Sequence, residues 1–270
     1  MMKRGDPLRA AFQFLSRFPV HAELDYNADL QQKSTRYYPV VGACIGIVLC
    51  VIALLASWSL PTMPASVIIL IAWIYITGGL HLDGWMDTAD GLLSYRSRER
   101  MLEIMKDSRV GAMGVIACVL LLLFKFTLIA SLMGTTILGP ALILAPVWSR
   151  GFMVYAIRKW PRARKGEGLA AQFNGLPLAE VWYTTIYSIL VSFSGLILLS
   201  VFGCSGTFSL ITFVLPLILT PLVAYSVGSW AADYMHRRLG GLTGDNYGAL
   251  NEGLEVVILM VLLIIHGITN

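Results

Sequence analysis

Seven long apolar runs dominate this chain and leave little choice of fold. They cover about Val40–Leu60, Pro64–Leu80, Val110–Leu132, Leu138–Ile157, Val181–Phe202, Phe208–Trp230 and Leu254–Ile268. A helix needs roughly 20 apolar residues to cross a bilayer. The runs are continuous rather than alternating, which argues for helices against a β-barrel. Only 13% of residues are charged and mean hydropathy is +0.71, whereas soluble domains carry about 25% charge. The expected fold is all-α: a polytopic transmembrane helical bundle of about seven spans, forming one integral membrane domain over residues 1–270.

The charges are distributed by connection. Segments 1–39, 81–109, 158–180 and 231–253 hold 6, 5, 5 and 2 of the Lys and Arg residues, 18 of 20 in all. The connections near Pro61–Met63, Met133–Ile137 and Gly203–Thr207 hold none. Alternation of charged and bare connections is the positive-inside pattern of seven spans, with the N-terminus cytoplasmic and the C-terminus outside. Fifteen of the 16 carboxylates lie in the charged segments, with Glu255 at the edge of the last, so the chemistry is expected on the cytoplasmic face. The net charge of +4 follows from this orientation and calls for no nucleic-acid partner. Cys44, Cys50, Cys118 and Cys204 lack metal-ligand spacing and read as small packing residues.

No signal peptide is expected, since no continuous apolar core follows Lys3 and Arg4. Leu8, Ala11, Phe12, Leu15 and Phe18 instead recur at helical spacing, predicting an interfacial amphipathic helix that ends at Pro19. In the first span, Gly42 and Gly46 form a small-xxx-small pattern suited to close helix packing.

The stretch Gly78–Gly114 concentrates the chemistry-bearing residues. Asp83, Asp87 and Asp90 fall at i, i+4 and i+7, one face of a helix. Three such carboxylates repel one another unless a cation sits among them, and a divalent ion with oxygen ligands suits them. The plainer alternative is helix capping and turns, since Gly84 and Gly91 follow acids. Lys106, Asp107 and Arg109 sit where the chain re-enters the membrane. They either pair with one another, or Lys106 and Arg109 hold phosphate while Asp107 completes the metal site. Tyr95–Lys106 reads as an amphipathic helix.

Two basic residues lie within spans. Lys125 is about seven residues from its span's outer end, ~10 Å, and is expected to snorkel outward. Arg150 lies in the inner half of its span and is a functional candidate, with carboxylates at inner span ends as partners. The basic run Arg158–Lys165, with Gly166–Gly168 after it, reads as an orientation signal touching anionic lipid. Gly240–Asp245 combines three glycines with Thr243 and Asp245, which permits close approach to a ligand.

Taken together the motifs resemble one family, the cobalamin (cobamide 5′-phosphate) synthases, also called adenosylcobinamide-GDP ribazoletransferases. The resemblance runs nearly end to end. It is carried by FLSRFPV at Phe14–Val20, YYPVVGACIG at Tyr37–Gly46, GGLHLDGWMDTADGLL at Gly78–Leu93, LEIMKDSRVGAMGV at Leu102–Val115 and LGGLTGDNYGALNE at Leu239–Glu252. Trp85, Asn246 and Tyr247 depart from the small or aliphatic apolar residues expected there. The resemblance implies a multi-pass enzyme of the bacterial inner membrane that joins adenosylcobinamide-GDP to α-ribazole, or its 5′-phosphate, and releases GMP with Mg²⁺. It implies metal ligation and catalysis by Asp83, Asp87 and Asp90, with Asp107 a further ligand. Lys106, Arg109 and Arg150 would contact the diphosphate, and His81, Thr243, Asp245 and Asn246 the rest of the substrate. The expected nucleophile is the ribazole 5′ oxygen. The partners are these small molecules and the lipid bilayer; a homo-oligomer is compatible with the pattern.

Two other readings compete. A CDP-alcohol phosphotransferase also sets aspartates at helical spacing, but its Asp-Gly is followed by Ala-Arg, and here Trp85, Met86 and Asp87 follow Gly84. An ion-coupled transporter predicts midplane acids and inverted repeats; no repeat is visible, and the acids cluster at one surface.

Overall fold

The computed structural model describes residues 3, 5–164, 172–201 and 213–269. Along them run α1 (Asp6–Leu15), α2 (Ala28–Ser34), α3 (Tyr38–Ser59), α4 (Thr62–Thr77), α5 (Leu80–Leu92) and α6 (Arg98–Ile104). Then come α7 (Ala112–Leu132), α8 (Leu138–Lys159), α9 (Leu178–Val201), α10 (Leu215–Leu239) and α11 (Gly244–Thr269). Among the described residues there is no β-strand, only an isolated bridge between Arg162 and Leu242. Among the described residues six helices are long and apolar enough to cross a membrane: α3, with α2 leading into it, and α7 to α11. Counting α4 and α5 as one crossing broken by a 90° bend gives seven. The chain is a multi-pass all-α bundle, as the apolar runs require.

Nearly all of α8 is buried, and it forms the centre. Helix α3 lies against it on two glycines. A Cβ on Gly42 would stand 2.4 Å from the Pro146 carbonyl oxygen, and one on Gly46 2.6 Å from that of Leu142. No side chain fits there, so the backbones meet at the small-xxx-small stripe. The outward faces of α3, α4, α7 and α9 expose Val51, Leu55, Ile71, Leu120, Leu123, Ile186 and Leu190, as a lipid-facing surface does.

The bend between α4 and α5 rests on Gly78 and Gly79, at φ 70° and 73°. This left-handed conformation costs other residues free energy and glycine little. It turns α5 crosswise to α4, so the apolar stretch of that crossing ends at the bend and the aspartates lie beyond it.

Several boundaries move. Helix α1 ends at Leu15, short of Pro19, and buries Ala10, Ala11 and Leu15 within the protein. Only the middle of Tyr95–Lys106 is helical, starting at a Ser97 cap whose side chain accepts from Arg100 N. The last helix begins ten residues before Leu254, because Gly244–Gly253 forms its first turns rather than a loop. The connection Gly203–Thr207 with Cys204, the first residues of the sixth apolar run, and Gly166–Gly168 lie outside the described residues.

Lys125 corrects the snorkelling expectation. It is 2% exposed and points into the bundle, with Nζ 3.1 Å from Glu252 Oε2 and bonded to Glu255 Oε2. Its ammonium also lies 4.1 Å from the centre of the Trp73 ring. Glu255 bonds Arg150 Nη1 through its other oxygen. Two cations and two anions thus neutralise one another between α7, α8 and α11. Because Glu252 and Glu255 lie inside the bundle, the acids are not all gathered at one surface.

Candidate active site

All four charged segments meet at one cleft of about 270 Å³. Phe14 comes from the first, and His81, Asp83 and Gly84, with Leu80 just before them, from the second. Arg162, Arg164 and Phe173 come from the third, and Leu242–Asp245, Tyr247 and Gly248 from the fourth. One wall is acidic, the opposite one basic, and Phe14, Phe173, Met153 and Ile157 supply apolar surface.

Two glycines make the acidic wall. A Cβ on Gly84 would lie 2.6 Å from the Asp245 carbonyl oxygen, and one on Gly248 3.0 Å from that of His81. Helices α5 and α11 therefore touch backbone to backbone, which sets Asp245 beside Asp83 and Asp87. Burial comes first in raising the Asp87 carboxyl to about 7, followed by the charges of Asp83, Asp245 and Asp90. Gly84→Ala must push these helices apart; loss of activity is expected with ~1–3 kcal/mol of destabilisation, read from thermal unfolding in detergent.

The start of α11 is held by a capping box. Thr243 Oγ1 accepts from Asn246 N at 3.3 Å, and Asn246 Oδ1 accepts from Thr243 N at 2.9 Å. Asn246 Nδ2 donates to Thr88 Oγ1 at 3.0 Å, fastening α11 to α5. Asn246 is fully buried, so it holds the wall instead of facing a ligand. Thr243 and Asp245 do line the cleft.

The basic wall was not visible in the sequence. After α8 the chain pairs with the loop following α10: Leu242 N donates to Pro161 O at 2.9 Å and Ala163 N to Leu242 O at 3.0 Å. Gly241 allows this contact, since a Cβ there would meet Ala163 N at 2.3 Å. The pairing hangs Arg162 and Arg164 over the acids. Arg164 Nη2 donates to Leu102 O at 2.7 Å, while its buried Nε has no partner among the described residues. Its positive charge counteracts the upward shift at Asp87. Apart from helical phase, the only hint was a pair of arginines in a run read as a lipid contact.

Other candidates lie elsewhere. Asp90 faces α7: its two oxygens accept Gly111 N at 2.8 Å and Gly114 N at 2.7 Å. It caps α7 from a neighbouring helix, and a Cβ at Gly111 or Gly114 would strike it. Asp90→Ala leaves two helix-start amides unpaired, and ~0.5–2 kcal/mol of stability is expected to go, measured as a lower midpoint of unfolding. Asp107 and Arg109 pair with each other, Nη2 to Oδ2 at 2.6 Å, and Arg109 holds the Asp107 carboxyl down to about 2. Neither they nor Lys106 line the cleft. Arg150 is fully buried and bonded to Glu255 and Ser149, so it lies beneath the cleft and does not reach into it. His81 is 4% exposed, lines the cleft and shares a 3.0 Å hydrogen bond with Asn251.

Among the described residues no three His, Cys, Asp or Glu side chains are gathered tightly enough to hold a metal ion. Mg²⁺ does not demand that. It typically takes one or two carboxylates, keeps waters and shares substrate phosphates. Asp83 and Asp245, two oxygen donors that line the cleft and whose charges raise the Asp87 carboxyl, fit it.

A family model described as cobalamin-5-phosphate synthase matches residues 7–263. Among similar proteins, one from Brevibacillus brevis named adenosylcobinamide-GDP ribazoletransferase is 38% identical, covering 94% of this chain and 96% of its own. Proteins of the same name from Desulforamulus reducens and Shewanella amazonensis are 37% and 35% identical, covering 95% and 94% of this chain and 96% and 94% of theirs. No solved structure matches. With near-complete coverage by the family model and by these relatives, the chain belongs to the cobalamin-5-phosphate synthase family.

Proposed function

We propose that this chain is an adenosylcobinamide-GDP ribazoletransferase of the bacterial inner membrane, with its cleft open to the cytoplasm. It transfers the adenosylcobinamide phosphate from adenosylcobinamide-GDP to α-ribazole or α-ribazole 5′-phosphate, releasing GMP, and depends on Mg²⁺. One observation carries the reading. Asp83 of α5, Asp245 at the start of α11, and Arg162 and Arg164 line one cleft, opposed charges arranged as a diphosphate and its cation require. The cytoplasmic orientation rests on the four segments that line the cleft, which hold 18 of the 20 basic residues.

The chemistry follows from the walls. Bound Mg²⁺, held by Asp83 and Asp245, would supply charge neutralisation for the diphosphate. Arg162 and Arg164 hold phosphate oxygens and stabilise charge that accumulates on the leaving GMP. A ribose hydroxyl of α-ribazole attacks the phosphorus attached to cobinamide, and the bond from that phosphorus to the oxygen of the departing GMP breaks. The hydroxyl proton passes to a carboxylate oxygen; Asp87, beside Asp83 and Asp245, suits that role. The attacking oxygen is not the 5′ one expected from the sequence. A cobalamin 5′-phosphate product retains its phosphate there, so another ribose hydroxyl must react. Phe14 and Phe173 offer aromatic faces to a heterocyclic base.

The experiment is direct. Purified protein in lipid receives adenosylcobinamide-GDP and α-ribazole, with Mg²⁺ or with EDTA. GMP and a cobalamin should appear together with Mg²⁺ and stop with EDTA. No GMP with any divalent cation would sink the assignment.

A further inference from the structure

The ion pairs inside the bundle are not isolated from the cleft. Asn251, fully buried on α11, links the two. Its Nδ2 lies 3.4 Å from Glu255 Oε1 and 3.0 Å from His81 Nδ1. Turning the amide over would set its oxygen against the Glu255 carboxylate, two acceptors facing each other with no proton between them. Glu255 cannot turn away, because Arg150 and Lys125 hold both of its oxygens. The amide nitrogen therefore faces the imidazole. An amide N–H₂ only donates, so His81 Nδ1 must accept and carries no proton.

In neutral imidazole the proton then sits on Nε2. Among the described residues that nitrogen makes no hydrogen bond and is not one of the buried unpartnered polar atoms, while His81 lines the cleft beside Asp83. We infer that Asn251 and Glu255 fix the tautomer of His81, so that His81 Nε2–H donates a hydrogen bond to an oxygen of the substrate held in the cleft. His81 is then a substrate contact with a defined polarity, a donor and not a base. Asn251 and Glu255 are positioning residues, acting through it as second-layer groups act on a metal-bound histidine. The buried ion pairs acquire a role beyond packing, since without Arg150 and Lys125 nothing would hold the carboxylate that orients the amide. The substrate part of this inference rests on the transferase reading; the tautomer part does not.

The first test needs no substrate. Nitrogen NMR of protein labelled with ¹⁵N-histidine distinguishes protonated from bare ring nitrogens, and His81→Gln identifies the signals of residue 81 among the four histidines. Wild-type protein should show Nδ1 bare and Nε2 protonated, and Asn251→Ala should release the ring into a mixture of tautomers. A proton on Nδ1 in the wild type, or the same single tautomer in Asn251→Ala, overturns the inference. If Asn251→Ala does not fold, the wild-type spectrum decides alone. The second test is GMP release. His81→Gln keeps an N–H near the Nε2 position and should stay within about tenfold of wild type. His81→Phe should lose about 10–150-fold, the value of a hydrogen bond to a charged acceptor. Equal rates for His81→Phe and wild type would overturn the donor role. Wild-type protein that releases no GMP contradicts the proposed reaction alone, and the tautomer result still decides this one.

Discussion

Asp87→Asn is expected to cut GMP release by about 10²–10⁴-fold while leaving the protein folded and inserted. The two halves of this result have one cause. Asp87 stands where burial and the charges of Asp83, Asp245 and Asp90 push its carboxyl up to about 7. In the folded state it holds a proton that the unfolded chain has already lost, from the ordinary carboxylate range up to about pH 7. Stability therefore falls as pH rises through that window, and the full penalty applies above it. The amide variant escapes the penalty. Thermal unfolding in EDTA should show Asp87→Asn no less stable than wild type at pH 6 and more stable at pH 8. A variant that is inactive because it is misfolded would show the opposite.

Lys125→Met is expected to cost stability. It strips Glu252 of its ion-pair partner in the bundle interior and leaves Glu255 with Arg150. Breaking a buried pair from one side costs about 3–5 kcal/mol, because the remaining charge is neither solvated nor compensated. Removing both partners should cost far less: Lys125→Met with Glu252→Leu is expected to recover most of the loss. Unfolding midpoints of the two single variants and the double variant complete a mutant cycle. Additive losses would show that the ion pair contributes nothing specific.

These two residues also show what a sequence carries and what it hides. The crossings were legible because each apolar run is a local property, and the phase of Asp83, Asp87 and Asp90 was legible because a helix repeats locally. The glycines at 42 and 46 marked a close contact. What escaped depends on contacts between distant segments. Lys125 meets Glu252 and Glu255 across 127 and 130 positions, so a local window saw a lone cation near a span end. Asp90 matched the phase of its neighbours, yet its oxygens turn to the amides that open α7. Thr243 and Asn246 form the reciprocal bonds of a capping box with Asn in place of the usual Glu or Gln, and the glycines around them obscured it. Arg162 and Arg164 could not be assigned without the pairing of residues 161–163 with Leu242.

The arginines are the part of the site that the fold adds, and they decide whether the cleft holds the diphosphate. Arg164 stands within electrostatic reach of both Asp87 and Asp245, where a phosphate oxygen shared with the cation would lie. The most direct measurement is single-turnover GMP release by Arg164→Ala beside wild type, at saturating Mg²⁺ and with both proteins at equal folded concentration in lipid. The rate should fall by about 10²–10³-fold, as when a preorganised donor to developing charge is removed. Release at the wild-type rate, from a preparation in which Asp87→Asn is inactive, would place the diphosphate outside this cleft.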